Sequence, residues 1–515
     1  MSSFGVHDMM KVDASSAGTM IEASRVRAEP PRLSPLAERL AALPVKPTYS
    51  PLVLEGVARL VDFVLVVATG IVAFRLYLAD HMAFDGAYAA MMGLVSIATL
   101  FGFQTAGLYQ ISAMRNFSHA MLRLAGGWAL VFLVALAGVF FMKSADAFSR
   151  VFLVIWFFLG LAVISLGRMA MASAVRWLTR KGRLDRRTAI VGGGEPAESL
   201  IRLLDQEKDT GLQLCGVFDD RADNRSPDVV ANYPKLGTVD DLVEFARRTR
   251  LDLVIFTVPV SAEQRLLQML RKLWVLPIDI RLSAHMARLR LRPRAYSYIG
   301  TVPVLDLFDK PIADWDLVLK WIFDKAVGWA MLILLSPVLL LTALAVKLDS
   351  RGPVLFRQKR FGFNNELIEV FKFRSMYVDQ SDQGAAKLVT KGDARVTRVG
   401  RFIRKTSLDE LPQLLNVAVF GNLSLVGPRP HALQAKAADH LYDQVVDGYF
   451  ARHRVKPGIT GWAQIHGWRG ETDTQEKIQK RVEHDLYYIE NWSLLLDFLI
   501  LLKTPGSLLN TKNAY

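Results

Sequence analysis

Two adjacent acids, Asp409 and Glu410, stand in Lys405-Thr-Ser-Leu-Asp-Glu-Leu-Pro-Gln413 with basic runs close by. Upstream are Arg357-Gln-Lys-Arg360 and Phe371-Lys-Phe-Arg-Ser-Met376, and downstream is Gly421-Asn-Leu-Ser-Leu-Val-Gly-Pro-Arg-Pro430. Carboxylates among so many cations suit a phosphorylated substrate and a divalent metal. Phosphoryl transfer depends on positioning and charge neutralisation, and a carboxylate nucleophile splits one hard displacement into two easier ones. Magnesium takes one or two carboxylates and completes its shell with substrate phosphate, a role open to Glu410. Arg357, Lys359, Arg360, Lys372, Arg374, Arg401 and Arg404 are candidate phosphate partners, arginine being suited to bidentate contacts. Lys456, in the turn Lys456-Pro-Gly-Ile-Thr-Gly461, is another. Arg429 lies between Pro428 and Pro430, on stiffened backbone with a well-defined direction. The competing reading is a helix start, because acids favour that end of the dipole and Ser407-x-x-Glu410 matches a capping box. Pro412 disfavours that register, since its missing donor would fall inside the helix; a start near Leu408 or Asp409 accommodates it.

The elements that must hold this site begin with a membrane-type composition. The chain has 515 residues, 51% of them hydrophobic, with a net charge of +14. Two to four units are expected, and the apolar fraction favours a membrane protein. A basic membrane protein usually owes its charge to cytoplasmic loops. No basic aromatic-interleaved helix, zinc-finger spacing or RNA-binding signature appears, so nucleic acid is not an expected partner. One cysteine, Cys215, excludes an intramolecular disulfide and a cysteine metal cluster. His431, His440, His453, His466 and His484 show no i, i+4 pairing suggestive of zinc. Residues 1–50 read as a disordered tail without a signal peptide.

Residues 51–186 carry four apolar runs, about Val57–Ala79, Tyr88–Tyr109, Leu122–Met142 and Val151–Leu166, the last extended past Arg168. Arg59, Asp62 and Arg75 read as snorkelling residues near the first span's ends. The cluster Arg176, Arg180, Lys181, Arg183, Arg186 and Arg187 sets both ends of the bundle in the cytoplasm. The spans show no buried acid–base chain, so an anchor is expected rather than a transporter. Residues 187–308 alternate strands and helices: Arg187–Val191, Glu198–Leu204, Leu212–Phe218, Leu253–Val258, Ile278–Leu282 and Val302–Leu307. This predicts a small doubly wound, Rossmann-like α/β domain. Gly192, Gly194 and Ala197 fit G-x-G-x-x-A with Asp219 beyond, which suits a nucleotide but also occurs in domains that bind nothing. No tyrosine among the thirteen has lysine four residues later, which argues against short-chain redox chemistry.

Val327–Val346 is a further uncharged run, but basic flanks on both sides favour the cytoplasm at each end. Ser336-Pro337 at its middle would kink the helix, with the serine hydroxyl satisfying a freed backbone group. A re-entrant helix over 317–346 is expected; a kinked spanning helix is the alternative. Leu494–Leu502, after Trp492, reads as an interfacial helix or a core one.

Residues 317–515 resemble the catalytic domain of the bacterial polyprenyl-phosphate sugar-1-phosphate transferases. The resemblance rests on Ser336-Pro337, Phe356-Arg-Gln-Lys-Arg-Phe-Gly362, Phe371–Met376, Ser407–Gln413, Ser424–Pro430 and Lys456–Gln464, in that order. With the spans and the middle domain it covers nearly the whole chain beyond the tail, matching the family's large form. Trp468–Thr474 and Lys512–Tyr515 resemble its undecaprenyl-phosphate glucose phosphotransferase branch. The resemblance implies a multi-domain membrane protein: tail 1–50, four-helix transmembrane bundle 51–186, Rossmann-like domain 187–308, and α/β catalytic domain 309–515. It implies transfer of hexose 1-phosphate, glucose in first place and galactose next, from a UDP-sugar to undecaprenyl phosphate with Mg2+. Asp409 falls on the family's nucleophile and Glu410 on its metal-binding acid. The bacterial inner membrane, a cytoplasmic catalytic domain, exopolysaccharide or capsule assembly and a homodimer belong to the same expectation. From another class stands a membrane-anchored nucleotide-binding regulator with an inactive C-terminal domain; Asp409, Glu410 and Arg429 speak against it.

Overall fold

The computed structural model describes residues 33–44, 47–115, 117–143, 148–207, 210–221, 226–259, 262–283, 297–299, 302–378, 393–430, 436–437, 440–441, 449–468 and 474–509. His431, the stretch 469–473 and the ending Lys512–Tyr515 lie outside them. The chain divides into two compact units, one built on 44–186 and the other on most of the rest.

In the first unit, four helices are long and apolar enough to cross a membrane. They are α2 (Pro51–Tyr77), α3 (Gly86–Thr105), α4 (Phe117–Phe141) and α5 (Arg150–Arg180); helix α1 (Pro35–Ala42) belongs to the second unit. Small residues let them approach closely, as lipid-embedded helices require. A Cβ on Gly160 of α5 would stand 2.5 Å from the Trp128 ring of α4.

Asp62 does not snorkel. It is buried, and its Oδ2 accepts from Arg168 Nη2 of α5 at 2.5 Å and from Tyr109 Oη at 2.9 Å. Arg168 Nη1 also donates to Leu108 O at 3.0 Å. The bundle thus contains a buried acid–base pair where none was expected, because the partners lie 106 residues apart in sequence. The pair is closed on itself and therefore reads as bundle glue, not as an ion path.

The second unit starts within the segment expected to be a disordered tail. Residues Pro35–Ala42 form helix α1, capped by Ser34, whose Oγ also donates to Leu236 O at 2.8 Å. Leu33 and Ala37 are buried in the core of the middle domain. Eight residues are too few to show a clear period, and the docking face supplies the stabilisation that so short a helix lacks.

That domain is built on β1 (Arg186–Val191), α6 (Glu195–Gln206), β2 (Leu212–Phe218), β3 (Val229–Val230), β4 (Tyr233–Gly237), α7 (Val239–Arg248), β5 (Leu253–Phe256) and α8 (Glu263–Leu273). It closes with β6 (Asp279–Ser283), β7 (Ser297–Ile299) and β8 (Val302–Phe308). The sheet runs β3-β4-β2-β1-β5-β6-β8-β7. Its centre is parallel, with β1 beside both β2 and β5, the switch point where doubly wound sheets leave a crevice. The edges are antiparallel, so the sheet is mixed rather than purely doubly wound.

The C-terminal part opens with α9 (Asp314–Leu334) and α10 (Ser336–Asp349), bent by 60° at the break between them. Ser336 Oγ donates to Ile333 O at 2.7 Å, taking up a carbonyl near the kink. A hairpin of β9 (Leu355–Phe361) and β10 (Leu367–Phe373) follows, then α11 (Arg398–Thr406) and β11 (Ser424–Val426). β11 pairs in parallel with β12 (Gly458–Thr460), and α12 (Gln475–Glu490) and α13 (Leu494–Leu509) complete the layer. α13 serves two environments: Asp497 and Ile500 are fully buried, while Leu495, Phe498 and Leu502 are more than half exposed.

Breaking a buried pair by removing one partner typically costs about 3–5 kcal/mol. Arg168→Met or Asp62→Leu alone should therefore lower the thermal unfolding midpoint in detergent, and the double variant should recover much of the loss. Single variants as stable as the parent would show that the pair contributes nothing to the bundle.

Candidate active site

The segment with the two acids is not a capped helix. Ser407 ends α11 in the left-handed region (φ 59°, ψ 17°), and its side chain makes no capping bond to the turn that follows. Leu408–Glu410 is a single 3-10 turn, continued by Gln413–Leu415 and a π-helical stretch Asn416–Phe420. Pro412 precedes this helical stretch, where its missing donor costs nothing. Asn416 anchors the turn to the hairpin, accepting from Phe371 N at 3.0 Å and donating to Glu369 O at 2.7 Å.

Strand periodicity sorts the basic residues of the hairpin. Gln358, Arg360 and Lys372 lie on one face; Arg357 and Lys359 lie on the other, beside Phe371 and Glu369. Arg357 is exposed, stacks on Phe371 at 5.5 Å and sits 3.7 Å from Glu369. Lys372 Nζ donates to Glu410 Oε1 at 2.9 Å, and Arg429 Nη2 donates to the same oxygen at 2.5 Å. Glu410 is thus held between two cations on separate segments.

The two acids respond oppositely. Burial works against the charge of Glu410, but Arg429 and Lys372 outweigh it and hold the carboxyl well below its usual range. Burial, and then the negative charge of Glu410, push Asp409 up to about 6, against the pull of Lys372, Arg404 and Arg429. Burial also lowers Lys372, countered in part by Glu410. Neighbouring groups driven apart in this way are characteristic of catalytic pairs.

The turn that carries Arg429 is fixed through its carbonyls. Val426 O accepts from Lys320 Nζ at 3.0 Å, Tyr488 Oη at 3.0 Å and Ser424 Oγ at 2.8 Å. Arg429 O accepts from Arg452 Nη2 at 2.9 Å, and Pro430 O from Arg360 Nη1 at 2.6 Å. Lys320 is itself paired with Asp497 at 2.6 Å, and Arg452 with Asp485 at 2.5 Å. Apart from Arg360 and Ser424, these supporting residues did not stand out in the sequence. Asp497 inside an apolar run and Lys320–Asp324 at helical spacing were the available signals.

Two expected phosphate partners, Arg374 and Lys456, are engaged elsewhere, and two, Arg357 and Lys359, lie on the outer face of the hairpin. Arg374 is buried and donates to the carbonyls of Val346, Ser350 and Arg351, closing the end of α10. Lys456 donates to Gly421 O at 2.7 Å. Lys359 is exposed on the outer face of the hairpin, opposite Glu369. Arg360, Lys372 and Arg429 are brought together, with Arg404 acting on Asp409 through its charge.

No group of three or more acids, histidines or cysteines that could hold a metal occurs among the described residues. Asp409 and Glu410, with only one oxygen of Glu410 held by cations, fit an ion that completes its shell from a bound diphosphate.

In the middle domain, Gly192, Gly194 and Asp219 line a cavity of about 640 Å³ with Arg221, Thr257, Val258 and Arg265. Gly192 and Gly194 have φ of 101° and 80°, which other residues avoid. Ala197 is buried in α6 and packs there instead. Asp219 accepts from Gly193 N at 2.8 Å and is clasped by Arg221 at 2.7 Å, so the amide a phosphate would seek is already taken.

Comparison with known proteins fits this geometry. A family described as bacterial sugar transferase matches residues 315–511, and one described as CoA-binding domain matches 104–284. A UDP-glucose:undecaprenyl-phosphate glucose-1-phosphate transferase of Klebsiella pneumoniae is 35% identical over 88% of this chain and 95% of its own length. One of the same description from Escherichia coli K12 is 37% identical, over 75% of this chain and 81% of its own. An undecaprenyl-phosphate glucose phosphotransferase of Komagataeibacter xylinus is 39% identical over 70% of this chain and 66% of its own. The chain is an enzyme of the bacterial sugar transferase family, in the large form of the polyprenyl-phosphate sugar-1-phosphate transferases.

Proposed function

We propose that the protein transfers glucose 1-phosphate from UDP-glucose to undecaprenyl phosphate, releasing UMP, with Asp409 as nucleophile. The observation that carries this reading is Asp409 beside a carboxylate held charged by Lys372 and Arg429. In the first step an Asp409 carboxylate oxygen bonds to the sugar-bearing phosphorus, and the bond from that phosphorus to the UMP oxygen breaks. In the second, a lipid phosphate oxygen attacks the same phosphorus, and the Asp409 carboxylate leaves. Each step exchanges one P–O bond for another and needs no net proton. Arg429, Lys372 and Arg360 neutralise diphosphate charge, and burial excludes competing water. Glu410, with Asp409 alongside, would hold magnesium, which would supply further neutralisation of phosphate charge. The relatives' names support glucose as the sugar; galactose is the next reading.

The bent pair α9–α10 belongs to the same proposal as a re-entrant element that dips into one leaflet and returns. Its 60° bend and Ser336-Pro337 support this. So does the way both arms return to one domain: Lys320 of α9 reaches Val426 O, while Arg374 closes the far end of α10. The catalytic domain then faces the cytoplasm at a bacterial inner membrane. There a soluble nucleotide sugar and a lipid phosphate meet, and the product starts a repeat unit of exopolysaccharide or capsule.

UMP release from a panel of UDP-sugars, with undecaprenyl phosphate and magnesium in detergent, tests the chemistry. Asp409→Asn should abolish turnover, and substantial residual activity would remove the nucleophile assignment. UDP-galactose turned over faster than UDP-glucose would reassign the sugar.

Asp409 must be ionised to attack, so activity should fall on the acid side through about pH 6. Arg404 lowers the Asp409 pKa, so Arg404→Ala should move that limb to higher pH. A limb unmoved or moved downward would contradict the electrostatic account.

For topology, cysteines placed at Trp315 and Leu348 in a Cys215→Ser background should both label from the cytoplasmic side. Labelling from opposite sides would make the pair a kinked span.

A further inference from the structure

We propose that the Rossmann-like domain positions the catalytic Arg429, through its α7 helix docked on the tip of the β9–β10 hairpin and on the turn Tyr449–Arg454. This rests on the proposed function and assigns the middle domain a part in the same site.

The contact has two branches. In the first, Asn364 at the hairpin tip donates from Nδ2 to Ala246 O of α7 at 2.8 Å. Its neighbour Asn365 is hydrogen-bonded to the ring of His453. Both asparagines are left-handed, with φ of 50° and 61°, so the tip is shaped to present these side chains. In the second, Arg247 of α7 stacks on Phe450 at 4.7 Å, and Arg454 donates to Asp309 O, just past β8, at 3.1 Å. Phe450, His453 and Arg454 sit on the same short helical turn as Arg452.

Each branch ends on the backbone that carries Arg429. The hairpin holds Pro430 O through Arg360, and the turn holds Arg429 O through Arg452. The hairpin also carries Lys372, the second cation on Glu410. A shift at the α7 contact therefore moves both hydrogen bonds that orient the arginine, without touching substrate. Effective positioning is sensitive to displacements of about 1 Å, which can cost roughly a hundredfold in rate. Asn364, Asn365 and Arg247 are positioning residues.

Asn364→Asp tests this. It keeps the size and the left-handed backbone but replaces the donor with a carboxylate oxygen facing Ala246 O. Expected results are a kcat about five- to tenfold lower and faster hydrogen exchange in the 424–430 segment. Arg247→Ala should act in the same direction, and Arg247→Lys should restore part of the loss by keeping a cation over Phe450.

Lys272→Ala removes a surface pair with Asp240 on the far end of α7 and should leave both readouts unchanged. A lowered unfolding midpoint with unchanged exchange at 424–430 would overturn the inference and leave a merely structural contact. Parent-like behaviour of Asn364→Asp and Arg247→Ala would overturn it too. If the parent enzyme itself released no UMP, the proposed function would fall instead. The exchange measurement would still judge the coupling.

Discussion

Two neighbouring carboxylates cannot both stay charged in a buried site unless cations are fixed beside them. The rest of the catalytic domain answers to that constraint. Lys372 reaches Glu410 from a strand and Arg429 reaches it from a turn, and both meet one oxygen. Burial and then the charge of Glu410 raise Asp409, so a single site holds one acid well below its usual range and one at about 6. An arginine that moved by a side-chain rotamer would leave Glu410 to Lys372 alone. That explains why so many donors converge on the carbonyls of Val426, Arg429 and Pro430 rather than on substrate-facing atoms.

Much of this was legible from local chemistry. The four spans, the alternating β/α segment and the helix break at Ser336-Pro337 follow from length, period and proline. The pairing of Asp409 with Glu410 and the direction of Arg429 between prolines were visible for the same reason. What stayed hidden was long-range. Arg374 looks like a phosphate ligand in Phe371–Met376 until the fold brings the end of α10 against it. Lys456 likewise resembles a phosphate lysine until Gly421 O arrives beside it. A side chain's type states which bonds it can make, and only the fold decides which partner comes first.

The same limit operated in the first unit. Asp62 near the end of an apolar run reads as an interfacial residue, since a lone carboxylate in hydrocarbon is costly. Arg168 and Tyr109 change that cost, but they come from two other segments, and no local pattern announces them. Pro35–Ala42 was obscured in the opposite direction. Its sequence is unremarkable, and the helix is held by Leu33, Ala37 and Ser34 docking on a domain that begins about 150 residues later.

The glycine turn of the middle domain has its own consequence. Asp219 occupies the Gly193 amide, and Arg221 holds it there. Any anion entering that crevice competes with a tethered carboxylate that is always present and never diluted. Its apparent affinity is its intrinsic affinity multiplied by the fraction of molecules in which Asp219 has swung away. The glycine turn on its own is therefore a weaker anion site than its pattern of glycines suggests.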